Sequence, residues 1–169
     1  ALEIVARANA DGYTLSAVSA SHVINGILRR TPYDLYRDFA PVCQMAAAPY
    51  VLVVHPSLPI SSVSELVAYA KANPGKLNYA SSGTASMSQL AMELVSFKTG
   101  IKLTHIPYKG VGATLPDLLA GRTPVNMASL PSHVPHIRNK TLRALAVTSA
   151  QRMVMLAEVP TMMEAGVAE

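Results

Sequence analysis

The sequence predicts an α/β fold with a largely parallel sheet and helices on both faces, and three observations carry that prediction. Strand-like and helix-like patterns alternate through most of the chain. Val51-Leu52-Val53-Val54 is an unbroken apolar run, as expected of a strand buried on both faces. Between Leu77 and Gly110 a strand, a small polar turn, a helix and a second strand follow in order.

Composition sets the bounds. The 169 residues suffice for one ordinary domain or two small lobes. Half are hydrophobic and 14% are charged, which supplies a core and argues against disorder. No apolar run is long enough to span a bilayer. The chain opens on alanine with no charged-then-apolar leader, so either a leader has been removed or this is an internal piece of a longer chain. A single cysteine, Cys43, excludes an internal disulfide and a Cys-rich metal site. The net charge of +4 is compatible with small anionic ligands. Its Lys and Arg residues are scattered and Trp is absent, so nucleic-acid binding is not expected.

In chain order, residues 1–10 read as the end of a helix and Asp11-Gly12 as a turn. Tyr13 to Val18 is a short strand pattern, followed by the small polar stretch Ser19-Ala20-Ser21-His22 and a helical pattern to Leu28. Loops after strands are where α/β sheets place ligands, which makes Ser19 and His22 candidate ligand contacts. The competing and favoured role for His22 is that of a helix-start residue. Pro41 to His55 reads as extended chain. Ser62 and Glu65 form a capping box for a helix with Val63, Leu66, Val67 and Ala70 on its inner stripe.

The central stretch follows. Met87, Leu90, Ala91, Leu94 and Val95 repeat at helical spacing, Ser86 and Gln89 fit a capping box, and Gly100 suits a left-handed C-cap. Ahead of this helix stands the turn Ser81-Ser82-Gly83-Thr84-Ala85-Ser86. Unpaired N–H groups and the helix dipole would let it cradle a carboxylate or phosphate. On the loop alone, an ordinary capped strand-to-helix turn explains these residues better, because neither a P-loop ending nor G-x-G-x-x-G is present. Beyond Gly110 a short helix is expected to Ala120, with Pro116 tolerable only in its first turn. Val125-Asn126-Met127-Ala128-Ser129 is a strand, residues 131–138 a helix with Asn139 as left-handed cap, and Leu142 to Thr148 another strand. A short helix is expected over residues 161–165. Lys109 reads as a solvated charge and Tyr108 as a packing residue with its hydroxyl satisfied. His133 and His136 read as surface histidines, since no third metal ligand lies nearby. No cofactor or metal is implied.

Several of these segments resemble the Bug/TctC family, the solute receptors of tripartite tricarboxylate transporters. The resemblance rests on Tyr79-Ala80-Ser81-Ser82-Gly83-Thr84, Leu90-Ala91-Met92-Glu93-Leu94, Ile106-Pro107-Tyr108-Lys109-Gly110 and Leu142 to Ser149, with Asp11 to Leu15 and Val159-Pro160-Thr161 in the family's order. It implies a periplasmic protein of the type II periplasmic-binding (Venus flytrap) class that passes a small carboxylate to a membrane permease. On that map residues 49–148 form a complete second lobe, while 1–48 and the return segment 149–169 are parts of the first. The chain is short for the family, and its first-lobe pieces are expected to be poorly ordered or to self-associate. The resemblance brings Asn126 and Ser129 into the expected ligand site beside Ser81, Ser82, Gly83, Thr84, Ala85 and Ser86. Asn126 is neutral where the family commonly has Asp, which favours a plain organic acid over an amino acid. The alternatives are a ligand-sensing domain of a regulator and an enzyme holding a phosphorylated substrate at the serine-rich loop. The enzyme lacks a visible acid–base or nucleophile pair.

Overall fold

The computed structural model describes residues 2–167. Its contacts divide the chain into two units: one takes the N-terminal residues up to Ala47 together with Ala85–Met87, the other Ala48–Thr84 and the chain from Ser88 onward.

The smaller unit carries two helices, α1 (Leu2–Ala6) and α2 (Ala20–Leu28). Ser19 is the N-cap of α2, and its backbone N–H donates to Nδ1 of His22 at 3.0 Å. That is the helix-start role foreseen for His22. The strand expected over residues 13–18 does not form, and neither does regular structure over 41–48. Tyr13 and Leu15 are 93% and 72% exposed, so the alternating pattern has no sheet to join. Val42 and Met45 are exposed as well, while Leu2 is buried.

The larger unit is built on a five-stranded sheet in the order β3-β2-β4-β1-β5. Its strands are β1 (Tyr50–Val54), β2 (Asn78–Ser81), β3 (Thr104–Pro107), β4 (Val125–Ser129) and β5 (Arg143–Val147). The helices are α3 (Val63–Ala72), α4 (Met87–Thr99, whose first residue groups with the smaller unit), α5 (Val111–Leu119) and α6 (Leu130–Arg138). The sheet is mixed rather than largely parallel. β2 runs parallel to β3 and β4, but β1 is antiparallel to both β4 and β5. Alternation of strand and helix does not fix strand direction, and β1 enters the sheet from the opposite end.

Val51, Leu52, Val53 and Val54 are all fully buried, and successive residues feed opposite faces. Leu52 and Val54 join Tyr79, Met127, Leu66, Met92 and Val95 in one core. Val51 and Val53 join Val147, Leu118 of α5 and Leu130 of α6 in the other.

Local signals account for several helix ends. Ser62 Oγ accepts the Glu65 N–H at 3.1 Å, while the Glu65 carboxylate reaches past Ser62 to the N–H and hydroxyl of Ser61. Gly100 takes the left-handed conformation after α4, with φ of 70°. Two expectations need correction. Pro116 lies more than a turn inside α5, because that helix starts at Val111. Asn139 has φ of −80°, and the left-handed residue after α6 is Lys140.

The C-terminal segment was expected to return to the first lobe; in this chain it packs on the larger unit. The Val147 carbonyl accepts Met162 N–H at 2.8 Å, and Val147 N–H donates to Pro160 at 2.9 Å. Thr161 forms a bridge to Val147, and Leu156 and Val159 are buried. These contacts pair the outer edge of β5 at Val147, where backbone groups would otherwise be left unpaired. Residues 154–156 form a 3-10 turn, and turns rather than a helix occupy 161–165.

Candidate functional site

Because β2, β3 and β4 are parallel, their C-terminal ends and the helix starts that follow them gather at one edge of the sheet. Antiparallel pairing adds the start of β1 and the residue after β5. This edge is stitched by backbone: Tyr108 N–H donates to Ser81 and Gly110 N–H to Ser82, each at 3.0 Å. Leu130 N–H donates to Pro49 and Thr148 N–H to Tyr50, each at 2.9 Å. The Tyr50 N–H in turn donates to the Thr148 hydroxyl at 2.9 Å.

The serine-rich turn starts at this edge, but its side chains are turned inward. Ser81 is fully buried, and its Oγ lies 2.6 Å from Nε2 of His105 and 3.1 Å from the Gly83 carbonyl. Ser82 meets Ser88 twice, through its N–H at 2.9 Å and its hydroxyl at 3.0 Å. Gly83 has φ of 139°, and a Cβ there would stand 3.2 Å from the Tyr108 carbonyl, so a side chain would be both strained and crowded. Ala85 adopts the left-handed region at φ of 60°, uncommon for a residue with a side chain. Ala85 and Ser86 are buried, and Thr84 is exposed.

The first N–H of α4 is not free. Within the smaller unit, Ser21 Oγ accepts the Met87 N–H at 3.1 Å, and Asn25 Nδ2 donates to the Ala85 carbonyl at 3.2 Å. The expected cradle of free donors is therefore corrected. Ser81 and Ser82 serve the loop's own structure, and the first N–H of α4 is capped from α2.

Asn126 also departs from expectation. It is 1% exposed, and its Nδ2 donates to the Ala80 carbonyl across the β2–β4 pair at 3.1 Å. Its Oδ1 is buried without a hydrogen-bond partner. Ser129 is half-buried and starts α6, its carbonyl accepting the Ser132 hydroxyl at 2.7 Å. Ser19 is exposed and His22 half-buried in the smaller unit. Tyr108 is the packing residue foreseen, its hydroxyl donating to Asp117 at 2.6 Å. His133 is fully buried, not a surface histidine. Among the described residues no group of three His, Cys, Asp or Glu side chains is placed to hold a metal.

Sequence reasoning missed one network altogether. The Tyr79 hydroxyl donates to the Glu93 carboxylate, and the Tyr79 ring stacks on His105 with centroids 4.9 Å apart. Burial, reinforced by Glu93, raises the Tyr79 ionisation far above its ordinary range. Burial holds His105 below the usual imidazole range, against the opposing pull of Glu93. The parallel register Tyr79↔His105 creates this stack and could not be read locally. A Ser–His pair thus exists, but full burial of Ser81 closes its hydroxyl to any substrate. Tyr79→Phe is expected to lower stability by about 1.5 kcal/mol, the loss of a hydrogen bond to a charged group. Urea unfolding measures this, and an unchanged midpoint would show that the bond is idle.

A groove of about 390 Å³ opens elsewhere in the larger unit, lined by Ser61, Ser64, Ala144, Glu158, Pro160 and Glu164. Of its two carboxylates, Glu164 is paired with Arg152 at 2.9 Å and Glu158 adds a negative charge.

Comparison with known proteins decides the family. Residues 1–169 match the tripartite tricarboxylate transporter family receptor, TctC. The chain belongs to the TctC family. Protein BugT of Bordetella pertussis is 36% identical over 99% of this chain and 52% of its own length. A solved structure of R. palustris Rpa4515 with adipate is 38% identical with a TM-score of 0.90, over 98% of this chain and 56% of that one. MatC (Rpa3494) from Rhodopseudomonas palustris with bound malate is 25% identical with a TM-score of 0.79, over 87% of this chain and 49% of that one. This TctC chain therefore spans about half the length of these relatives. The likeness agrees with a periplasmic-binding-protein fold, and among the described residues no helix is long and apolar enough to cross a membrane.

Proposed function

We propose that this TctC-family chain is part of a periplasmic receptor that captures a small organic carboxylate and delivers it to a tripartite tricarboxylate-type permease. The observation that carries this reading is the likeness, over 98% of the chain, to a relative holding adipate. The malate-bound relative extends it to a second dicarboxylate without an ammonium group, in line with a plain organic acid. A net charge of +4 helps attract such ligands. The role is binding without covalent chemistry, supported by the sealed Ser81 hydroxyl.

Within the receptor, the larger unit corresponds to the second lobe and the N-terminal residues to part of the first. Ligand contact falls to the turn from Ser82 to Ser86, through Thr84 and the backbone, with Ser129, Ser19 and His22 as further candidates. The Ser81 and Asn126 side chains stay behind as supports. The exposed apolar residues of the N-terminal segment favour self-association of this chain.

Thermal unfolding with adipate, malate, citrate, glutamate and benzoate tests the reading. A true ligand at a hundredfold excess over Kd adds about 2.7 kcal/mol of stability. Adipate or malate should stabilise the chain and glutamate should not. Thr84→Ala should weaken that gain while leaving unliganded stability in place. No stabilisation by any of the five acids would remove carboxylate capture from this chain.

A further inference from the structure

Two contacts in the smaller unit join residues 60 and 66 positions apart and meet at one turn. Ser21 Oγ accepts the Met87 N–H at 3.1 Å. Asn25 Nδ2 donates both to the Ser21 carbonyl at 2.8 Å and to the Ala85 carbonyl at 3.2 Å. One of the two anchor points is the carbonyl of the left-handed Ala85, a conformation that an L-residue with a Cβ adopts only when its surroundings hold it. Ser21 and Asn25 lie one helical turn apart on α2, so both reach the same side of that helix. One flank thus supplies an acceptor for the first N–H of α4 and a donor for the carbonyl ahead of it.

We infer that Ser21 and Asn25 are positioning residues that pin the β2–α4 turn in the shape the carboxylate site requires. The inference rests on the receptor function proposed above. Neither side chain need touch the ligand: together they offset the strain at Ala85 and hold the backbone from Ala85 to Met87. A turn held before the ligand arrives binds without the cost of ordering it.

Amide hydrogen exchange on the full chain tests the pin without any ligand. Ser21→Ala should speed exchange at Met87 about fivefold, the equivalent of one lost capping hydrogen bond. Ser21→Thr keeps the hydroxyl and should restore protection. Asn25→Asp keeps the shape but loses the donor, and should loosen the same turn. Adding Ala85→Gly to Asn25→Asp should bring protection back, because glycine adopts the left-handed conformation without the cost. A general stabilising role for Asn25 would not yield that rescue. Unchanged exchange at the turn in both single variants overturns the inference, and so does loosening spread evenly over the sheet. Adipate titration supplies the second arm: variants with a loosened turn should bind several-fold more weakly. If the turn loosens and adipate affinity stays the same, the turn lies outside the site and the positioning role is lost. If the unaltered chain takes up neither adipate nor malate, the receptor reading fails, while the exchange pattern still decides whether the pin exists.

Discussion

Leu52→Ala is expected to cost about 3 kcal/mol, within the range for emptying a well-packed leucine site. Leu52 is fully buried in β1, which is paired on both sides, with Met127 across one ladder and Ala146 across the other. Its side chain meets the face that also holds Tyr79, Leu66 and Met92. Two ladders hold the backbone in place, so the cavity cannot close by strand movement and most of the lost contact stays lost. Urea unfolding should show a lower midpoint with an unchanged slope. Phe97→Ala is the control: Phe97 is larger but 83% exposed on α4, and its removal should change stability by no more than about 0.5 kcal/mol. Equal effects from the two substitutions would mean that the sheet, with β1 inside it, is not the core of this unit.

The strand that makes this prediction was legible because burial on both faces leaves a local mark, the unbroken run Val51 to Val54. Caps were legible for the same reason, since Ser62 and Gly100 act within their own turns. Direction was not. Nothing within Tyr50–Val54 says that β1 opposes β4, because antiparallel pairing depends on where the chain enters the sheet. Tyr13 to Val18 shows the reverse failure: the pattern is present, but a strand needs a partner, and none is paired with it among the described residues. The site was legible as a place and misjudged in detail. Ser81 to Ser86 does sit at the carboxyl edge of the parallel strands, as loops after strands should. Yet the first N–H of α4 looked free only because the group that caps it, Ser21, is remote in sequence. The ring that takes the Ser81 hydroxyl, His105, arrives through the register of a neighbouring strand. Family resemblance supplied the receptor reading proposed above, which these local signals could not.

A second large effect follows from His133, whose surroundings make the fold sensitive to mild acid. The ring is fully buried on α6; Nδ1 lies 2.8 Å from the Ser132 hydroxyl and Nε2 has no partner. Burial is the main cause that pushes its pKa down to about 4, with repulsion from His136 adding to it and a hydrogen bond to the Ser129 backbone opposing. In the unfolded chain the same ring titrates near an ordinary value of about 6.5. Between those two values the unfolded state binds the extra proton, so stability rises with pH. The full contribution is present above about pH 6.5 and is lost as pH falls through the folded pKa, about 3 kcal/mol in all at about 1.4 kcal/mol per unit. Carboxylates add little over the upper part of this window. Glu65 and Glu164, held low chiefly by their hydrogen bonds to Ser61 and Arg152, keep their stabilising charge until the pH drops below the ordinary glutamate range. Between about pH 5 and 6.5 the loss therefore belongs mainly to histidine. His133→Leu removes the titrating ring and its orphaned nitrogen while keeping an apolar side chain in the space. Its urea midpoint should vary less over that window than the parent's, with a residual slope from His105, the other histidine held down by burial. At pH 7.5 the variant should lie within about 1 kcal/mol of the parent, because loss of an unpaired polar atom offsets the imperfect packing. A variant that follows the parent's pH profile point for point would show that the buried ring is not the group that takes up the proton.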